Sequence, residues 1–108
     1  MEKKFLNHFN IAGLTYWDAA EVFSELSIGT ELQFVAETDN KYDPEAVAIY
    51  YGKSKLGYIP RKMNTTISTL LQCGYSNIFD VRINRLNPTT NPEEQIGVVV
   101  RVIKKGGL

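Results

Sequence analysis

Apolar and polar positions alternate with period two in three stretches of the chain, three further short stretches read as strands from β-branched, aromatic or apolar content and turn signals, and two more show helical spacing. In residues 5–13, Phe9 and Ile11 alternate with Asn10 and Ala12, which predicts a strand. Residues 18–26 predict a short helix. Val22, Phe23 and Leu26 form its apolar face, Asp18 stands at the capping position with Glu21 three residues on, and Ser27-Ile28-Gly29 ends it. Strands follow at residues 31–37 (Leu32, Phe34 and Ala36 against Gln33 and Val35), at 46–51, and at 55–59 after a hairpin turn over Gly52-Lys53-Ser54. Beyond Pro60, the spacing of Met63, Ile67, Leu70 and Leu71 predicts a second helix, stopped by Gly74. Residues 78–86 alternate Phe79, Val81 and Ile83 against Asp80, Arg82 and Asn84, and 87–92 form an exposed loop. In the last strand, 95–103, the run Val98-Val99-Val100 marks a position covered on both faces.

The predicted order is thus β-α-β-β-β-α-β-β. Short strands joined mostly by hairpin-type connections imply a mainly β domain with two helices, a small closed or half-open barrel of about six strands. At 108 residues, 44% hydrophobic and 22% charged, the chain has the size and composition of one globular domain, read as spanning 1–108 with a frayed tail from about 104. Twelve basic and twelve acidic residues cancel. There is no global field to gather polyanions, and any nucleic-acid contact must come from a local patch or pocket.

The candidate chemistry is sparse. Cys73 is the single cysteine and His8 the single histidine, which removes an internal disulfide, a thiolate or histidine zinc site and a recognisable triad. Cys73, near the end of an amphipathic helix, reads as a small buried hydrophobe, and His8 as a surface or edge residue. The Gly52-Lys53-Ser54 turn lacks the upstream glycine of a P-loop, since Val47 stands there. Asp39, Asn40 and Asp43 lack the glycine and bidentate glutamate of a calcium loop. No catalytic residue, metal or cofactor is expected. The N-terminus has no apolar stretch of a signal peptide and no segment approaches a membrane span, so a reducing cytoplasm is the expected compartment. Asn64-Thr65-Thr66 is formally a glycosylation sequon, without meaning inside a cell.

Two segments carry residue types more specific than packing requires. One is Ala12-Gly13-Leu14-Thr15-Tyr16-Trp17; the other is Glu37-Thr38-Asp39-Asn40-Lys41-Tyr42-Asp43-Pro44-Glu45-Ala46, followed by Leu56-Gly57-Tyr58-Ile59-Pro60-Arg61. Together they resemble the HIRAN domain, whose signature is a Gly-x-x-aromatic-aromatic start, an Asn-x-Tyr-Asp-Pro-x-Ala loop and a Gly-Tyr-x-Pro-Arg segment. The resemblance covers essentially the whole chain. It implies an OB-like or SH3-like barrel and a non-enzymatic module that grips the free 3′-hydroxyl end of single-stranded DNA.

In that reading Tyr16 or Trp17 stacks a terminal base, Asp43 accepts the 3′-hydroxyl proton, Asn40 bonds sugar or base edge, Arg61 meets the adjacent phosphate, and Tyr42 and Tyr58 line the wall. Thr15 stands where DNA-end-binding members carry a basic residue, and Trp17 where they carry tyrosine, which implies a weaker grip. The implied partners are single-stranded DNA ends and a helicase or nuclease acting in trans, in a repair, restriction or phage-related setting. Other readings of the same residues remain. Asn40 and Asp43 suit a tight turn by themselves, Tyr42 reads as core more readily than as ligand-facing, and Arg61 suits a solvated helix start. Period-two geometry sends one of Tyr16 and Trp17 inward. The alternative function is a barrel that offers an aromatic groove to a peptide.

Overall fold

The computed structural model describes residues 2–105. Six antiparallel strands form one sheet: β1 (Lys3–Asn10), β2 (Glu31–Ala36), β3 (Val47–Tyr51), β4 (Ser54–Tyr58), β5 (Phe79–Leu86) and β6 (Ile96–Ile103), in the spatial order β1-β6-β5-β2-β3-β4. The element order matches the expectation. β6 lies between β1 and β5, and its residues from Ile96 to Val100 are all buried, as the unbroken valine run required.

β2 bends the sheet. Its first two residues pair with β5 (Glu31 with Arg82, Leu32 with Val81), and its last four pair with β3. The sheet therefore curls until its two outer strands approach. They meet at one bridge, where Ala12 and Tyr58 exchange backbone hydrogen bonds of 2.8 and 2.9 Å. Gly57 makes that approach possible, since a Cβ there would run into the Ala12 carbonyl and lie 2.6 Å from Ile11 Cγ2. Among the described residues this is the one β-bridge that closes the barrel.

Inside, Phe9, Ile11, Leu32, Ile49, Leu56, Val81, Ile83, Val98 and Val100 pack into one cluster. Each such side chain contributes about 1.5–3 kcal/mol by leaving water. Both helices are shorter than the spacing suggests. α1 (Ala19–Val22) continues as a 3-10 turn over Phe23–Glu25, and α2 (Thr65–Gln72) follows a 3-10 turn over Arg61–Met63. Asp18 does not cap α1 with its side chain; its backbone N–H is held instead by the Lys55 carbonyl at 2.9 Å. Gly74 ends α2 at φ +92°, as expected of a C-terminal glycine. Cys73, read as a buried hydrophobe, is exposed instead, because it caps α2 at the edge of the molecule.

The two ends of the described chain meet. The Lys104 N–H donates to the Glu2 carbonyl at 2.8 Å, and the Lys104 ammonium lies 3.3 Å from the Glu2 carboxylate. Residues 106–108 of the expected tail lie outside the described residues.

Candidate nucleic-acid interface

Where the sheet edges meet, a cleft of about 880 Å³ opens on the surface. Ala12, Tyr58 and Ile59 form its base, the Gly13–Trp17 turn and the loop from Asn40 to Ala46 its two sides, and Arg61 and Asn64 its far end. Of the residues expected at a site, Tyr16, Trp17, Asn40, Tyr42, Asp43, Tyr58 and Arg61 are brought together here, while Thr15 is exposed outside the lining.

The first side begins at Gly13, whose φ of +71° is open to glycine at no steric cost. It starts a 3-10 turn, Leu14–Tyr16. Here the expectation of one ring in and one ring out is corrected. The backbone is not a strand at this point, Leu14 takes the core slot, and both rings stay at the cleft, Tyr16 82% exposed and Trp17 41% exposed.

The second side is built by Asn40. Its Oδ1 accepts the backbone N–H groups of Tyr42 (2.9 Å) and Asp43 (3.1 Å), and its Nδ2 donates to Glu37 Oε1 at 3.2 Å. Both lone pairs of its oxygen are thereby used, which leaves one amide hydrogen for a ligand. Tyr42 sits at the tip of this turn, 87% exposed, and so is not a core residue as read from its type.

Asp43 is fixed from two directions. Its Oδ1 accepts the Glu45 N–H at 2.9 Å, and its Oδ2 accepts Asn64 Nδ2 at 2.8 Å. Arg61 Nε lies 3.8 Å from Oδ2 with its guanidinium mostly in solvent. Each carboxylate oxygen keeps a lone-pair direction for a further donor. Asn64, buried to 2% exposure, is a cleft residue that sequence reasoning missed, since only its sequon drew notice.

Against Trp17 lies a second group that the sequence did not announce. The Lys55 ammonium donates to Glu37 Oε2 and to the Tyr58 hydroxyl, both at 2.6 Å, and that hydroxyl donates to Glu37 Oε1 at 2.7 Å. The same ammonium stands 3.7 Å from the Trp17 ring centroid, while Trp17 meets Tyr58 edge to face at 5.9 Å. In a regular strand Lys55 and Tyr58, three residues apart, would face opposite ways. A β-bulge places an extra residue in β4 between the Ile49–Gly57 and Tyr50–Lys55 pairs, and so brings both side chains to one side.

Burial opposes the charge of Glu37, but hydrogen bonds from Lys55, Tyr58 and Asn40 outweigh it and hold the carboxyl below its usual range. Burial likewise opposes the Lys55 charge, and its bonds to Glu37 and Tyr58 push its pKa up. Burial and the Glu37 carboxylate raise Tyr58 despite the neighbouring ammonium.

The cations are distributed unevenly. Arg61 reaches the cleft, but Lys62 lines a separate hollow of about 280 Å³ with Leu6, Asn7 and Thr65, and Lys41 lies outside the cleft lining. Among the described residues no group of three or more His, Cys, Asp or Glu side chains is placed to hold a metal ion, and no helix is long and apolar enough to cross a membrane.

A six-stranded barrel with an aromatic cleft at its closing seam, and a fixed carboxylate inside that cleft, defines a small ligand-binding module. Residues 5–102 match the HIRAN domain, and the chain belongs to that family. HIRAN domains are binding domains for nucleic acid and are not catalytic by themselves. The crystal structure of a protein from Lactobacillus plantarum shares the fold with a TM-score of 0.79 and 21% sequence identity, over 94% of this chain and 95% of that one. No curated protein matches the chain significantly.

Proposed function

We propose that the cleft takes the 3′-hydroxyl end of a single strand of DNA. The observation that carries this reading is the placement of Asp43, a carboxylate held rigidly by Glu45 and Asn64 and flanked by aromatic rings. A terminal hydroxyl donates to a remaining lone pair of Asp43. A 3′-phosphate or a continuing strand would instead press an anion against it, so the carboxylate selects for ends. The base stacks on an aromatic face, worth about 1–3 kcal/mol and open to every base. Arg61 offers its guanidinium to the neighbouring phosphate.

With one cation at the cleft, affinity depends weakly on salt, with a slope near −0.7 for one phosphate contact on a single strand. Such a module reads a terminus and does not track along a strand. It serves a helicase or nuclease acting in trans, in repair, restriction or phage defence, inside the cytoplasm.

The test is fluorescence anisotropy with short labelled oligonucleotides ending in a 3′-hydroxyl or a 3′-phosphate, for the wild type and Asp43→Ala. Tighter binding of the hydroxyl end, lost in the variant, supports the reading. No binding of either at tens of micromolar sinks it. A second reading has its own observation: Lys62 and Lys41 are not gathered at the cleft, and an aromatic groove with a single cation also suits an extended peptide. Absence of oligonucleotide binding together with binding of a labelled extended peptide favours that partner.

A further inference from the structure

Glu37 stands at the foot of the cleft's second side and closes that loop with its backbone. Its N–H donates to the Ala46 carbonyl at 2.9 Å, and its carbonyl accepts the Asn40 N–H at 3.1 Å. The first side ends against Lys55, whose carbonyl accepts the Asp18 N–H at 2.9 Å, one residue after Trp17. The Lys55 ammonium also lies against two cleft rings, 3.7 Å from the Trp17 centroid and 4.4 Å from that of Tyr58. Each side of the cleft is thus anchored on one charged residue that does not itself line the cleft.

Those two residues are joined. Lys55 Nζ donates to Glu37 Oε2, while Glu37 Oε1 accepts from both the Tyr58 hydroxyl and Asn40 Nδ2. Three donors, two from β4 and one from the loop, converge on this side chain. Only a carboxylate accepts them all and also opposes the ammonium's charge. The Lys55 and Glu37 side chains are 12% and 21% exposed, so the attraction is screened less than on an open surface.

Building on the reading of the cleft as a strand-end site, we propose that the Glu37–Lys55 pair ties its two sides together, with Glu37 as a positioning residue for binding. The pair holds the Asn40–Ala46 loop and the Trp17 ring in a set relation without touching the ligand. A strand end then meets two walls already ordered, and little side-chain freedom is lost when it binds. With the tie cut, the ligand must order each wall separately, and affinity falls although no contact with it has been removed.

The test compares Glu37→Gln, Lys55→Met and the double variant with the wild type. Glutamine keeps one acceptor oxygen where three donors meet on two, so part of the tie must open. Val98→Ala, in the core and outside the cleft lining, controls for lost stability alone. Two quantities are read: affinity for a labelled 3′-hydroxyl oligonucleotide by anisotropy, and acrylamide quenching of the sole tryptophan without ligand. Each single variant is expected to bind about three- to tenfold more weakly. The double variant is expected to lose no more than about tenfold, because both changes break one tie, whereas independent losses would multiply to about 10- to 100-fold. Quenching of Trp17 is expected to rise in Glu37→Gln, a change on the other side of the cleft, and to stay at the wild-type value in Val98→Ala. Multiplying losses, wild-type quenching in Glu37→Gln, or the same pattern in Val98→Ala would each overturn the proposal while the end-reading function stands. If the wild type binds no oligonucleotide, the end-reading function falls, and the ligand-free quenching alone decides whether the walls are tied.

Discussion

Asn64 reaches across 21 positions of sequence to hold Asp43, donating from Nδ2 to Oδ2 over 2.8 Å. The donor is buried and the acceptor lines a cleft, so this one bond connects the packed interior to the group exposed for chemistry. Asn64 also accepts the Ser68 N–H on its backbone carbonyl at 2.8 Å, in the first turn of α2. The orientation of the carboxylate is therefore tied to the docking of that helix.

Asn64→Ala is expected to cost about 1.5–3 kcal/mol of stability, the range for a hydrogen bond to a charged partner. Urea denaturation measures it. The same variant loses discrimination between hydroxyl and phosphate ends at protein concentrations where it remains folded.

Gly57→Ala tests the closing seam. The new methyl meets the Ala12 carbonyl and Ile11 Cγ2, and the backbone stands at φ +154°, so the bridge to Tyr58 must open. A loss of about 2–4 kcal/mol follows, or roughly 10–20 °C in Tm by thermal unfolding. An unchanged Tm would show that the seam is not needed for stability.

The Glu37 network gives a pH signature. The Glu37 pKa is lowered in the fold from an ordinary 4.5, so its contribution is full above about 4.5 and fades as the pH falls through the folded value. The Tm gap between wild type and Glu37→Gln is thus widest near pH 7 and closes in acid. Lys55 and Tyr58 are raised, from 10.5 and 10.0, and their contribution is full below those values and is lost as the pH climbs through the folded ones. A gap that stays constant from pH 3 to 7 would count against the network.

Adjacent cations are expected to behave differently. Arg61→Ala weakens oligonucleotide binding several-fold and flattens the salt slope by about 0.7, whereas Lys62→Ala, which faces the other hollow, leaves both within error. Titrations over a series of salt concentrations decide this.

Alternation in three segments and short β-branched or apolar runs in the others located all six strands, and the valine run marked β6 as buried, because burial on a pleated sheet writes itself into residue type. The motif residues also converged on one cleft, apart from Thr15. What escaped notice has a common cause. Strand geometry sends one of Tyr16 and Trp17 inward, but the backbone there is a 3-10 turn, and residue type favours the core for Tyr42 although a turn lifts it into solvent. Lys55 and Tyr58 share a side only through a bulge, a feature of pairing between strands that no single strand's pattern records. Asn64 bonds Asp43 only once α2 is docked, and its neighbours in sequence say nothing of it.

The pairing of Glu2 with Lys104 has a practical consequence. β1 runs eight residues from that pair before the chain reaches Ala12, which at about 3.3 Å per residue puts the cleft some 25 Å away. A fluorophore or a solid support attached at Glu2 or Lys104 thus sits far from the cleft mouth. The domain can be held at both of these positions at once and still present the same open face.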